Sequence, residues 1–308
     1  MSNKVTIIIP CYNSSKNINK LLESLNLYEN KNIHCLLIDD KSDENEFNDL
    51  SKAISKYPKS QISLIKNESD KKGAGVCRNI GLKFTNDEWV LFADSDDHFL
   101  KKFEVSLAKY TNSDADMIYF PPISSDEFGE IGSRHYTYLE YFNDFYMSNN
   151  YSSLKYKLPV VWSRLYRLSF IRRNNISFDE TIVSNDRMFA LKSGFYCDNY
   201  IVSDSTIYSW DYNKNSLTVK MTKEKYIVNL NVYVSVNKFL KRNLDKFEYI
   251  QVSESIFKFI AMSLFRYKFG FFFTSKIFLF LVMEKMPLIR ISDLFRIKNF
   301  FRNNDIYK

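Results

Sequence analysis

The chain of 308 residues holds only 7 glycines, 6 prolines, 4 cysteines and 3 histidines. So little glycine and proline excludes collagen-like repeats and flexible low-complexity tracts. Cys11, Cys35, Cys77 and Cys197 are scattered, with no C-x-x-C pair and no clustered histidine, which excludes a zinc site and a disulfide framework. They read as reduced, buried thiols of a cytoplasmic protein. Long hydrophobic runs are missing as well. The amino-terminal MSNKVTIIIP has too short an apolar stretch for a signal peptide. The longest apolar segment, Phe269 to Met283, is interrupted by Lys276 and falls short of the roughly 20 residues that span a bilayer, so no transmembrane helix is expected. The common phosphate loops are absent too: Gly73 and Gly75 lack the rest of a G-x-G-x-x-G pattern, and no Walker lysine is in place.

What the chain does have is core material, 45% hydrophobic and 17% aromatic, enough for one large domain or a domain with an appendage. The net charge of +7 suits anionic partners such as nucleotides or phospholipid headgroups. That charge belongs to the tail, where Gln251 to Lys308 carry ten basic against four acidic residues.

VTIIIP is a continuous β-branched run, as in a strand covered on both faces. In KNINKLLESLNLY, Ile18, Leu21, Leu22 and Leu25 recur at helical spacing. HCLLIDD is a second buried strand, and a helix is expected over Glu46 to Tyr57. ISLIKN is a third strand, GAGVCRNIGLKFT a helix and WVLFAD a fourth strand. This alternation predicts an α/β fold, a mostly parallel sheet flanked by helices, with ligands beyond the carboxyl ends of its strands. Further on, DADMIYFPPI reads as a strand, YIVSDSTIYSWDY as one or two more, and the text turns helical from Lys223. A boundary near residue 220 divides a catalytic domain (1–220) from a helical, basic, aromatic-rich region (221–308).

The polar residues gather at strand ends. Tyr12 and Asn13 follow the first strand, Asp39 and Asp40 close the second, and Asp94, Ser95, Asp96 and Asp97 close the fourth. Along an extended segment Asp94 and Asp96 project to the same side. Carboxylates about 4 Å apart repel by about 4 kcal/mol at an effective dielectric of 20, so a positive partner is required. A D-x-D suits Mg²⁺ or Mn²⁺, which accept one or two carboxylates and fill the other positions with water and substrate phosphates.

With PCYN, IDDKSDE, the Gly73–Gly81 segment containing Arg78 and Asn79, and ADSDD in this order, the first hundred residues resemble family 2 glycosyltransferases. The resemblance extends more faintly through VVWSRLYRLSFIRRNNISFDETIVSNDRMF and YSWDYNKNSLT to about residue 220. It implies the Rossmann-like GT-A fold and an inverting, Mn²⁺- or Mg²⁺-dependent sugar transfer from a UDP-sugar. By that resemblance Pro10, Cys11, Tyr12 and Asn13 line the base pocket, and Asp39 or Asp40 accepts the base N–H. Arg78 lies near the base or diphosphate, Asp94 near the ribose or the metal, Ser95 at the nucleotide-sugar and Asp96 at the cation, while Asp97 takes either role and is set with Asp96 at the cation. Asp186 is the base that takes the acceptor proton, with Asp179 as runner-up and Trp162 as a platform for the acceptor sugar. Asn185 departs from the family pattern, which has Glu there. A helix cap is the alternative role for Asp186. His98 is read either as a phosphate or metal-water contact or as a plain loop residue.

The expected partners are a UDP-sugar, a saccharide acceptor, lipid-linked as in capsule, O-antigen or lipooligosaccharide synthesis, and an anionic membrane surface met by the tail. The enzyme is then peripheral on the inner face of the cytoplasmic membrane. A homodimer interface is the other use of the tail. Nucleic acid is not expected, since no recognition motif accompanies the basic residues. A nucleotidyltransferase and a non-catalytic binding subunit are the competing readings.

Overall fold

A computed structural model describes residues 4–101, 103–213 and 221–289. The chain divides into two compact units, the first ending at residue 213. The first begins with β1 (Val5–Cys11), α1 (Ile18–Ser24), β2 (Ile33–Asp39), α2 (Glu44–Ile54), β3 (Ile62–Lys66), α3 (Ala74–Phe84) and β4 (Trp89–Phe92). There follow β5 (His98–Phe99), α4 (Phe103–Thr111), β6 (Met117–Tyr119), β7 (Ile123–Ser124), α5 (Tyr136–Ser148) and α6 (Tyr151–Tyr156). The unit closes with β8 (Arg164–Arg167), α7 (Leu168–Arg173), α8 (Arg187–Tyr196), β9 (Tyr200–Val202) and β10 (Tyr208–Trp210).

Seven strands form one sheet in the order β3-β2-β1-β4-β8-β6-β9. Only β8 is opposed to its neighbours, pairing antiparallel with β4 and β6. A smaller sheet joins β5, β10 and β7. The chain steps from β1 outward to β2 and β3, then returns across β1 to β4. That reversal opens a crevice at the carboxyl ends of β1 and β4.

The β1 run is buried on both faces because helices cover both sides of the sheet. Helix α3 lies so close to β1 that a Cβ on Gly81 would come within 2.4 Å of the Ile8 side chain. Glycine at 81 is therefore a matter of space. Helix α2 starts earlier than its apolar pattern suggests, because the Asp43 carboxylate accepts the Glu46 N–H and caps it. The stretch read as one strand at DADMIYFPPI is two, β6 and β7, broken at Pro121 and Pro122, which have no N–H for a ladder. Helices α5 and α6 were not foreseen, and α5 buries only Phe142 completely, so its sequence carries a weak helical stripe.

The second unit holds α9 (Lys223–Asn243), α10 (Lys246–Val252), α11 (Ile256–Ala261), a π-helical turn over Met262–Arg266, and α12 (Phe271–Met283). Tyr226, Leu230 and Val234 pack with Ile256, Phe259, Ile277 and Leu281 to form its own core. The end of the YSWDYNKNSLT segment, residues 214–218, and the basic residues from Arg290 onward lie outside the described residues.

Candidate functional site

At the tip of β2, Asp39 and Asp40 are both buried, yet their surroundings differ. Asp40 is satisfied on both oxygens: Asn67 Nδ2 donates to Oδ1 at 2.9 Å and the Gly73 N–H donates to Oδ2 at 2.8 Å. Asp39 receives the Ser42 N–H on Oδ2 at 3.3 Å, while its buried Oδ1 has no donor. A buried acceptor without a partner costs about 1–3 kcal/mol, so this oxygen has the character of a ligand contact.

Beside it, β1 ends in Pro10, half-buried, and Cys11, whose carbonyl accepts the Asp40 N–H at 2.7 Å. Burial pushes the Cys11 thiol up to about 12, so it stays protonated. Tyr12 is 53% exposed, and the Lys72 ammonium sits 3.4 Å from its ring centroid. Asn13 turns the chain with a positive φ of 47° and donates its N–H to Ser42 Oγ.

Strand β4 stops at Phe92, so Asp94 to Asp97 form a turn and not an extended run. The Asp97 N–H bonds the Asp94 carbonyl at 3.2 Å, so Asp94 and Asp96 do not share a side by strand alternation as the sequence suggests. Asp94, Ser95 and Asp96 are half-buried, and Asp97 is buried. Burial, with Asp94 beside it, pushes the Asp96 carboxyl above the usual range, and Asn213 Nδ2 donates to its Oδ2 at 2.7 Å. Asp97, placed on the cation by the sequence reading, is turned inward instead. Its Oδ2 accepts the Tyr208 hydroxyl at 2.6 Å and its Oδ1 the Asp211 N–H at 2.8 Å. The same hydroxyl accepts the Asp94 N–H at 2.9 Å, so Tyr208 bolts the turn to β10.

Arg78, buried on α3, joins the halves of the site. Its Nη2 donates to Asp94 Oδ1 at 2.6 Å and its Nη1 to Asn185 Oδ1 at 2.8 Å, while its buried Nε has no acceptor. Helix α3 reaches this position because Gly75 has no side chain. A Cβ there would lie 2.2 Å from the Asp179 carbonyl oxygen and 2.9 Å from Asn185 Cβ. Asn185 in place of Glu gives Arg78 a neutral acceptor where a second carboxylate would otherwise stand.

Asp186 precedes α8 without capping it by its side chain, so the capping role is not the one it plays. Burial raises its carboxyl above the usual range, Arg78 opposes that rise and Asp94 adds to it. Burial raises the Asp179 carboxyl also. Trp162, read as an acceptor platform, is 5% exposed and stacks on Tyr208 at 5.3 Å between centroids. Its ring is core.

Sequence reasoning missed Tyr208 and Asp211. Asp211 accepts from His98 Nδ1 at 2.7 Å, Lys20 Nζ at 2.5 Å, and Ser125 and Ser209 hydroxyls at 2.9 Å each. Burial works against its ionisation, but these donors override it and hold the carboxyl well below the usual range. His98 is therefore engaged with Asp211. The available signal was the aspartate right after the aromatic strand YSW, at the same kind of strand end as the other acids.

No cluster of three or more metal-ligating side chains exists among the described residues. A cation shared with a diphosphate needs only one or two carboxylates. Asp94 and Asp96 fit that demand: they are adjacent, and Asp94 pushes Asp96 toward protonation, a repulsion that a divalent cation relieves.

The model of glycosyl transferase family 2 matches residues 6–174. Among curated relatives, glycosyltransferase GlyA of Streptococcus pneumoniae is 23% identical over 239 residues, 73% of this chain and 33% of that protein. Poly(ribitol-phosphate) beta-N-acetylglucosaminyltransferase TarS of Staphylococcus aureus is 26% identical over 212 residues, 67% of this chain and 35% of that protein. The chain thus spans about a third of the length of these two relatives. It covers 79% of WfgD of Escherichia coli, a UDP-Glc:alpha-D-GlcNAc-diphosphoundecaprenol beta-1,3-glucosyltransferase, at 25% identity over 210 residues. Among solved structures, S. aureus TarS 1–349 in complex with UDP-GlcNAc has a TM-score of 0.63 at 20% identity, covering 85% of this chain and 72% of that one. That likeness shows the GT-A fold. With the family match spanning more than half of its length, the chain belongs to glycosyl transferase family 2.

Proposed function

We propose that this chain is an inverting glycosyltransferase of bacterial surface-polysaccharide synthesis, transferring a sugar from a UDP-sugar to a saccharide acceptor with Mn²⁺ or Mg²⁺. The observation that carries this reading is Arg78, whose guanidinium ties Asp94 of the acidic turn to Asn185, the neighbour of Asp186. One cationic side chain thereby brings the nucleotide edge and the candidate base into a single site.

In this reading the uracil N–H donates to the unpartnered Oδ1 of Asp39, and Asp40 instead holds the loop at Gly73. Tyr12 offers its exposed ring to the base. Asp96, with Asp94 beside it, holds the cation, which when bound stabilises negative charge on the departing diphosphate. Asp186 takes the proton of the acceptor hydroxyl as that oxygen bonds to the anomeric carbon. The bond from that carbon to the diphosphate breaks, and UDP leaves with the electron pair on the opposite face. The half-buried site keeps Asp186 basic enough to accept a proton, because burial raises its affinity for one. A lipid-linked acceptor fits this scheme, as the relative WfgD acts on a diphosphoundecaprenol-linked sugar.

The test is calorimetric titration of UDP with and without Mn²⁺, on the wild type and on Asp96→Ala, followed by a hydrolysis screen of UDP-sugars. Metal-dependent UDP binding that is lost in Asp96→Ala supports the site and lets the screen name the donor. UDP binding that is absent, or equal without metal and in the variant, overturns it.

A further inference from the structure

Helix α12 is apolar on both of its faces. Its inner side, with Ile277 and Leu281 buried and Phe273 and Phe280 beside them, packs into the core of the second unit. Its outer side carries Phe271, Phe272, Phe278, Leu279, Val282 and Met283, exposed from 42% at Phe278 and Val282 to 85% at Phe272. Phe271 and Phe272 are followed seven residues on by Phe278 and Leu279 and four further on by Val282 and Met283, two helical turns and then one, so they form one stripe. A surface helix ordinarily turns charged residues to water on that side; here Lys276 is the only charged residue of the helix. Leu288 and Ile289, 60% exposed each, lie just beyond its carboxyl end. An exposed apolar stripe of this extent marks an interaction surface.

We propose that the outer face of α12 lies in the interface of an anionic phospholipid bilayer. The charges around the stripe identify the occupant. Lys268 precedes the helix, Lys276 sits within the stripe and Lys285 follows it; all three are exposed and none is ion-paired with a described acid. Lysine stems lie along apolar surface while their ammonium groups reach the headgroup level, where anionic lipid attracts them. The thirteen residues of α12 are about 20 Å long, against about 30 Å for a bilayer core. No helix among the described residues is long and apolar enough to cross a membrane, so the geometry is that of a helix lying flat on one leaflet. A second copy of the chain is a poorer occupant. A two-fold interface centred on this stripe would bring Lys276 against its own symmetry mate in a dry patch, where interfaces are depleted of lysine.

This inference is independent of the nucleotide reading. A chain that fails to bind UDP but sediments with vesicles loses the nucleotide reading alone, and the reverse result loses the membrane proposal alone. The experiment is co-sedimentation of the full chain with vesicles of phosphatidylglycerol and phosphatidylethanolamine, and with vesicles of phosphatidylcholine. The wild type is expected to bind the anionic vesicles and to be released as salt is raised to about 0.5 M, where the Debye length is only a few ångströms. Phe272→Glu with Leu279→Glu is expected to lower partitioning at least about tenfold, with the circular dichroism spectrum and UDP binding retained. Phe272→Ala with Leu279→Ala, a milder change, gives an intermediate loss. The proposal is overturned if the wild type binds neither vesicle, or if the double Glu variant binds as the wild type does. It is equally overturned if sedimentation equilibrium shows a dimer that the double Glu variant dissolves while vesicle binding is absent.

Discussion

Strands β2 and β4 each lead into two adjacent aspartates, and at both places the partners differ in the same way. Asp40 and Asp97 have both oxygens occupied by the protein, from Asn67 and the Gly73 N–H in one case and from Tyr208 and the Asp211 N–H in the other. Asp39 keeps a buried oxygen without a donor, and Asp96 takes one side-chain donor, Asn213. Within each pair one carboxylate fastens the loop and its neighbour remains available. In both pairs the two carboxylates face different partners, so a doubled acid supplies a fixing point and a ligand contact together. The unpartnered oxygen of Asp39 is stability withheld until a donor arrives.

Substituting the two members of a pair separates these roles. Asp96→Asn is expected to lower kcat by about 10³-fold, about 4 kcal/mol of transition-state stabilisation, with the melting temperature nearly unchanged. Asp97→Asn should act on stability first, costing about 1–3 kcal/mol by replacing one of the two oxygens that accept the Tyr208 hydroxyl and the Asp211 N–H with an amide that cannot accept; chemical denaturation measures it. Equal activity losses in the two variants at unchanged stability would erase the distinction. At β2 the effects are smaller. Asp39→Asn is expected to weaken UDP binding by about 30-fold, about 2 kcal/mol, whereas Asp40→Asn lowers the melting temperature through the Gly73 loop; calorimetry and thermal melts read the two. A subtler probe is Tyr208→Phe, which keeps the ring stacked on Trp162 and removes only the hydroxyl that spans Asp97 and the Asp94 N–H. The Mn²⁺ concentration for half-maximal rate should rise about tenfold, as expected for about 1.4 kcal/mol of lost positioning.

The parallel half of the fold was legible because β1, β2 and β4 are unbroken apolar runs, each closed by polar residues on the same edge. That regularity also put Asp39, Asp40 and the acidic turn at one edge of the sheet, whereas Arg78 was reached only through the resemblance of its segment. Which acid of each pair faces inward was not legible, since it depends on partners far away in sequence. Tyr208 lies 111 residues from Asp97, and no local spacing announces it. Trp162 misled for the opposite reason. An aromatic near a site is equally at home in a core, and here Tyr208 and Tyr138 surround it. Helices α5 and α6 escaped because α5 buries little, and a helix that hides few side chains leaves little periodicity to read.

The smallest effect tests how the two halves of the site are coupled. Burial, and Asp94 after it, raise the Asp186 carboxyl, while Arg78 works in the other direction. A general base acts only when ionised, so the rate falls as pH drops through this raised value, and the acidic limb of kcat lies above the range of an ordinary carboxylate. Arg78→Gln removes the stronger of the two cations that oppose the rise, the weaker being Arg187. The carboxyl then holds its proton to still higher pH, and the limb moves upward. Arg78→Lys keeps a positive charge and should leave the limb closer to its original place, although the bonds that tie Asp94 to Asn185 are loosened. Reading the position of the limb at saturating donor, and not its height, separates this electrostatic role from any loss of nucleotide binding. A limb that stays in place in Arg78→Gln would mean that Asp186 does not feel the guanidinium, and that the acidic turn and the base are neighbours without being coupled.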